Sequence, residues 1–117
     1  MEKSREVITN IEMSYPIMMD RFKNITDEQY ELFCRKQYDY GSQNITLGGD
    51  LDKDEDRMLA LEALVIRMND KVNRLKNIVL KHKGSNAVDG ETYMDAFKDL
   101  SVYGIMSQIV ASGKWGK

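Results

Sequence analysis

The stretch DEDRMLALEALVIRMNDKVNRLKNIVLK, residues 54–81, decides the fold. Met58, Leu61, Val65, Met68, Val72, Leu75 and Val79 recur three and four residues apart, the heptad signature of one long α-helix with an apolar seam. Asp54, Glu55 and Asp56 stand at its start and Lys76, Lys81 and Lys83 near its end, as the helix macrodipole favours. Gly84-Ser85-Asn86 closes it. Such a seam needs a partner, inside a helical bundle or in a dimer. The acidic run from Asp50 to Asp56 is not a calcium loop: Glu55 replaces the turn glycine and Leu61 the bidentate glutamate.

Working outward, Val7, Ile8 and Ile11 predict a short amphipathic helix over 3–14, interrupted or restarted at Pro16. Ile17, Met18, Met19 and Phe22 continue an apolar face. Thr26 with Gln29 reads as a capping box, and Ile25 with Tyr30 as a hydrophobic staple. These predict a helix from Asp27 to about Tyr40 that buries Tyr30, Phe33 and Cys34 and ends at Gly41. Residues 41–53 read as a loop. A last helix is expected from Asp89 or Gly90 to about Ala111, with Tyr93, Phe97, Leu100, Ile105 and Ile109 on its apolar side and Gly113 just past its end. With no convincing strand, the expected fold is an all-α bundle of four to five helices around one long central helix. It is one domain over residues 1–117: an N-terminal helical segment (1–24), motif-bearing helices (25–111) and a flexible tail (112–117).

Composition narrows the function. Apolar residues at 42% and charged residues at 31% describe a folded globular chain, not a disordered one. A net charge of −2 argues against general nucleic-acid binding, which requires a basic footprint. Cys34 is the only cysteine, so no intrachain disulfide or cysteine-based zinc site forms. No apolar run approaches a membrane span, and the first residues do not resemble a secretory signal. A soluble protein of the cytoplasm is expected.

Three charged clusters carry the functional reading. Arg67, Lys71 and Arg74 share one helical stripe, about 110° from the heptad seam at 100° per residue, at the border of the core. Two guanidinium forks and an ammonium there suit phosphate, although a solvated face is the commoner meaning of such charges. Glu91, Asp95 and Asp99 place one carboxylate per turn, which calls for something positive opposite them. Interhelical salt bridges to the cationic stripe are the plainer reading and Mg²⁺ the sharper one. Lys36, Asp39, Tyr40, Gly41 and Asn44 straddle a helix end and a loop, where a tyrosine can stack on a base and an asparagine read its edge.

The run from Lys36 through Asp39-Tyr40-Gly41 to Asn44 resembles the "K-x-x-D-Y-G" signature of the nucleotide modification associated domain, type one, a mostly bacteriophage family. The segment from Arg67 to Leu75 is similar to that family's "R-x-x-D-K-x-x-R-L", and Asp95 to Tyr103 to its "D-x-x-x-D-L-x-x-Y". The resemblance spans about residues 30–106. It implies a small helical phage protein of nucleotide metabolism or DNA-base modification, and adds Tyr103 to the candidate ligand-binding residues. A more remote similarity is to MazG-like all-α pyrophosphohydrolases, which hold Mg²⁺ on E-x-x-E and E-x-x-D pairs. This chain departs from that pattern, with only Glu62 well inside the long helix and Glu91 four residues from Asp95.

The expectation is therefore a nucleotide-binding protein with a nucleotide or nucleoside phosphate as partner. Arg67, Lys71 and Arg74 would hold phosphates, Asp95 and Asp99 would hold Mg²⁺ or position the cations, and Asp39, Tyr40 and Asn44 would contact base or sugar. Any chemistry would be metal-assisted attack of water on a phosphoanhydride. A non-catalytic nucleotide sponge and a purely structural interaction protein are the alternatives. The heptad seam and eight methionines predict a homodimer.

Overall fold

The computed structural model describes residues 2–117 and is helical, with no strand among the described residues. Five α-helices follow one another: α1 (Glu2–Ser14), α2 (Pro16–Tyr40), α3 (Gln43–Thr46), α4 (Asp54–Leu75) and α5 (Tyr93–Ala111). A π-helical segment, Lys76–Lys81, prolongs α4. Together they make the expected long helix of about 28 residues. No helix is long and apolar enough to cross a membrane. The chain divides into two compact units, the first ending at Lys36 and the second running from Gln37 to Lys117.

In the first unit, α1 passes into α2 with little interruption. Tyr15 donates its amide to the Ile11 carbonyl at 2.9 Å, and Met19 donates to the Tyr15 carbonyl at 3.0 Å. Pro16 therefore removes one rung and opens α2 at the first helical position, where proline is tolerated. Lys23 reaches Glu12 at 2.7 Å. A straight helix would hold residues eleven apart at about 16 Å, beyond the reach of these side chains, so the axis bends at the proline. Neither α1 nor α2 contains a buried residue.

The expected helix start at Thr26 does not exist. The Thr26 hydroxyl donates instead to the Lys23 carbonyl at 2.8 Å, the back-bond a mid-helix threonine makes. Tyr30 and Cys34, expected inside, are exposed, and Phe33 is half-buried. The end of that helix is as expected: Gly41 takes φ +72° and donates to the Gln37 carbonyl.

The core belongs to the second unit. It consists of Ile45, Ala60, Leu64, Ile78, Ala96, Met106, Val110 and Trp115. Ala60 and Ala96 are completely covered, and their small side chains let α4 and α5 approach closely. Ile45, inside the stretch read as a loop, is buried from the one-turn helix α3. On α5, Ala96, Met106 and Val110 form the inner face, while Tyr93, Phe97 and Ile105 remain partly exposed.

The C-terminal tail is not loose. Trp115 is buried and donates its indole Nε1 to the Ser42 carbonyl at 2.9 Å, and Lys117 meets Asp52 at 2.6 Å. The ion pair is well exposed and contributes little, so the indole provides the attachment. Trp115→Ala is expected to destabilise the protein by roughly 3 kcal/mol, the range for removing a buried large aromatic. Urea denaturation measures it, and a change below about 0.5 kcal/mol, the size of an ordinary surface substitution, would mean that the tail does not dock.

Candidate functional site

Residues on α4 and α5 assemble the site, and two polar contacts set how the helices meet. Lys71 Nζ lies 2.9 Å from Asp99 Oδ2. One turn further along α4, Arg74 donates to the Thr92 carbonyl at 3.0 Å and lies 3.8 Å from Glu91. Rising numbers on α4 thus meet falling numbers on α5, so the pair is antiparallel. Carried along both helices, this register sets Arg74 level with Ala96, Arg67 with Tyr103 and Leu64 with Met106.

The α4 stripe that packs on α5 is therefore Ala60, Leu64, Arg67, Lys71, Arg74 and Ile78, again four and three apart. The three cations lie in this stripe, not beside the packed face as expected. Met58, Val65 and Val72 of the heptad seam remain exposed. The physical reason lies on α5, which offers Asp99 and the Thr92 carbonyl as partners and so accepts charge in the middle of the seam. Ala96 leaves room at the level of Arg74.

Thr92 and Asp95 form the capping box that starts α5. Met94 donates its amide to the Thr92 hydroxyl at 3.2 Å, and Thr92 donates its own to Asp95 Oδ2 at 3.1 Å. This T-x-x-D pattern was present in the sequence and marks the start better than Asp89 or Gly90. It also occupies the Asp95 carboxylate. Glu91, Asp95 and Asp99 consequently have three separate tasks. Among the described residues no three His, Cys, Asp or Glu side chains gather to hold a metal ion. As a set, these carboxylates do not fit a resident Mg²⁺ site.

The hydrogen bond that Lys71 donates to Asp99 is the main reason that it is held above its ordinary pKa of 10.5; burial and the nearby Arg74 oppose it, and Tyr103 is close enough to assist. Arg67 differs from its neighbours. It is half-buried on the packed stripe, yet makes no hydrogen bond or ion pair among the described residues.

The other predicted cluster is divided between the two units. Lys36 ends the first unit, while Asp39, Tyr40, Gly41 and Asn44 open the second. The side chains of Lys36, Asp39, Tyr40 and Asn44 are exposed and make no hydrogen bond or ion pair among the described residues. The segment following Gly41 is fastened by Trp115 to Ser42 and by Arg57, whose Nε donates to the Leu51 carbonyl at 3.1 Å. Arg57 precedes Arg67 by ten residues, about 15 Å along α4. An open groove of about 350 Å³ lies there, lined by Ser42, Thr46, Gly49, Asp50 and Trp115 among others. The docking of Trp115 and Lys117 was missed; the one tryptophan of the chain, beyond a helix stop, was its only signal.

No family model, curated protein or solved structure matches the chain.

Because the folded pKa of Lys71 is raised, its stabilisation is complete below the unfolded value and disappears as pH rises through the folded one. Unfolding free energy measured between about pH 9 and about pH 12 should fall more steeply in the wild type than in Asp99→Asn, which lacks the main cause. Equal slopes would show that the pair does not form.

Proposed function

We propose that the chain binds a phosphate-bearing nucleotide along the α4–α5 seam, with Arg67 as the anchor and Lys71 and Arg74 beside it. The observation that carries this reading is that Arg67, half-buried on the packed stripe, makes no hydrogen bond or ion pair among the described residues. Its guanidinium is left available to a ligand, and a phosphate offers it a bidentate, charge-assisted contact.

Gly104 supports the same place. It lies mid-α5 beside Tyr103, level with Arg67, where glycine is less favourable than alanine by about 1 kcal/mol. A Cβ built there meets nothing within 4 Å, so no packing in the chain requires a glycine. A ligand lying against the backbone does, with the Tyr103 ring as a stacking surface. The similarity of residues 67–75 and 95–103 to the nucleotide modification associated domain points to the same ligand class and to nucleotide metabolism or base modification.

No catalytic step is assigned, since the carboxylates on α5 are already engaged. Whether the protein sequesters or converts its ligand is read by chromatography: nucleotide recovered unchanged after prolonged incubation marks a sponge, and product marks a hydrolase. Isothermal calorimetry with mono-, di- and triphosphates, with and without Mg²⁺, tests binding itself. Arg67→Ala should weaken it at least about tenfold, or 1.4 kcal/mol, with stability unchanged. Failure of every nucleotide to bind saturably ends the proposal. Gly104→Ala should raise stability by roughly 0.5–1 kcal/mol while weakening binding; higher stability with intact binding would remove Gly104 from the site.

A structural role is the second reading, favoured by the Lys71–Asp99 pair and the Arg74 contacts to Thr92 and Glu91. In that case Arg74→Ala costs about 1 kcal/mol of stability in the unfolding curve, and no nucleotide protects either protein.

A further inference from the structure

The cations of the α4 stripe are unequally committed, and this bears on how many phosphates the seam can take. Lys71 is paired with Asp99 at 2.9 Å, each side chain about one-third exposed. Arg74 donates to the Thr92 carbonyl at 3.0 Å and faces Glu91 at 3.8 Å. Arg67, one turn before Lys71, makes no hydrogen bond or ion pair among the described residues. Of the three, Arg67 alone is uncommitted.

Resting on the nucleotide reading above, we infer that the site takes a single phosphate group, so that its ligands are nucleoside monophosphates, and that Asp99 sets this limit. The surroundings of Arg67 leave no second place. Towards the start of α4 the stripe continues as Leu64 and Ala60, with Met106 and Val110 on α5, all buried and apolar. No side chain among them offers an anion a donor. In the other direction Lys71 follows four residues on, about 6 Å along the helix. A second phosphate reaching Lys71 has to displace Asp99. The displaced carboxylate would be left part-buried and unpaired beside an anion, a costly arrangement for a charge taken partly out of water.

Charge acts in the same direction. Along the seam Arg67, Lys71 and Arg74 are matched by Glu91, Asp95 and Asp99, and Asp95 already accepts the Thr92 amide. Charges about 6 Å apart interact well inside the screening length of about 10 Å at 0.1 M salt. The facing rows therefore hold no excess of positive charge for the several charges of a triphosphate. One phosphate at Arg67 uses the free guanidinium in bidentate geometry and leaves the Lys71–Asp99 and Arg74–Thr92 contacts intact. Those contacts fix the register of α4 and α5, so a polyphosphate that broke them would loosen the walls of its own site.

Isothermal calorimetry without Mg²⁺, at about 0.1 M salt, compares the mono-, di- and triphosphates of deoxyadenosine, deoxyguanosine, deoxycytidine and thymidine. The monophosphate of the preferred base should bind at least about tenfold more tightly than its triphosphate. Asp99→Asn frees Lys71 without leaving a carboxylate behind, and should abolish or reverse that preference. Lys71→Gln leaves Asp99 unpaired, and should widen it. Each ratio is taken within one protein, so a change in stability does not imitate it, and if one variant fails to fold the other still decides. A wild-type protein that binds the triphosphate as tightly as the monophosphate overturns this inference and leaves the nucleotide reading standing. So does a preference that neither variant moves. Absence of saturable binding to every nucleotide removes the nucleotide reading, and this inference with it.

Discussion

The ion pair between Lys71 and Asp99, with Arg74 one turn away on the Thr92 carbonyl, is the constraint on which the second unit depends. Apolar packing alone leaves two helices free to slide by a turn, since one small or branched side chain replaces another at modest loss. Sliding here would move Lys71 off Asp99 and set it against Ala96 or Tyr103. Both charges would then be half-buried and unpaired, which is far less favourable than a displaced methyl group. The polar middle of the seam thus selects one register. The apolar ends, Ala60 and Leu64 with Met106 and Val110 on one side and Ile78 on the other, contribute the burial.

That division of labour explains the modest appearance of the charges. Lys71 and Asp99 are each about one-third exposed, so their pair contributes at most on the order of 1 kcal/mol. Its value lies in specificity. Arg74 adds a second constraint by tying the last turn of α4 to the residue that caps α5, so the intervening segment is closed at both ends. Arg67 alone of the three has no such task, which is why the binding proposal rests on it.

The two units differ in what holds them. The second has a core, a polar seam and a docked tail. Helices α1 and α2 contain no buried residue, and the contact from Lys23 to Glu12 is exposed. A kinked helix of this length is marginal in water without apolar packing.

Local signals in the sequence were enough for the all-α class, the span of the long helix and the stop at Gly41, because periodicity, end charges and a positive-φ glycine act on neighbouring residues. The Thr92–Asp95 box was legible in the same way, whereas the Thr26–Gln29 box was a local pattern that helix propagation from Pro16 overrode. The positions of Arg67, Lys71 and Arg74 on one stripe were also legible. Which stripe of α4 faces α5 was not, since the helix has two candidate rows and only residues 18 or more positions away, Thr92 and Asp99, choose between them. The same holds for Trp115, whose partner Ser42 is 73 residues away. Hydrogen bonds and charge pairs between distant segments exist only once the chain has folded, so they, and not the helices, were the part that tertiary structure decided.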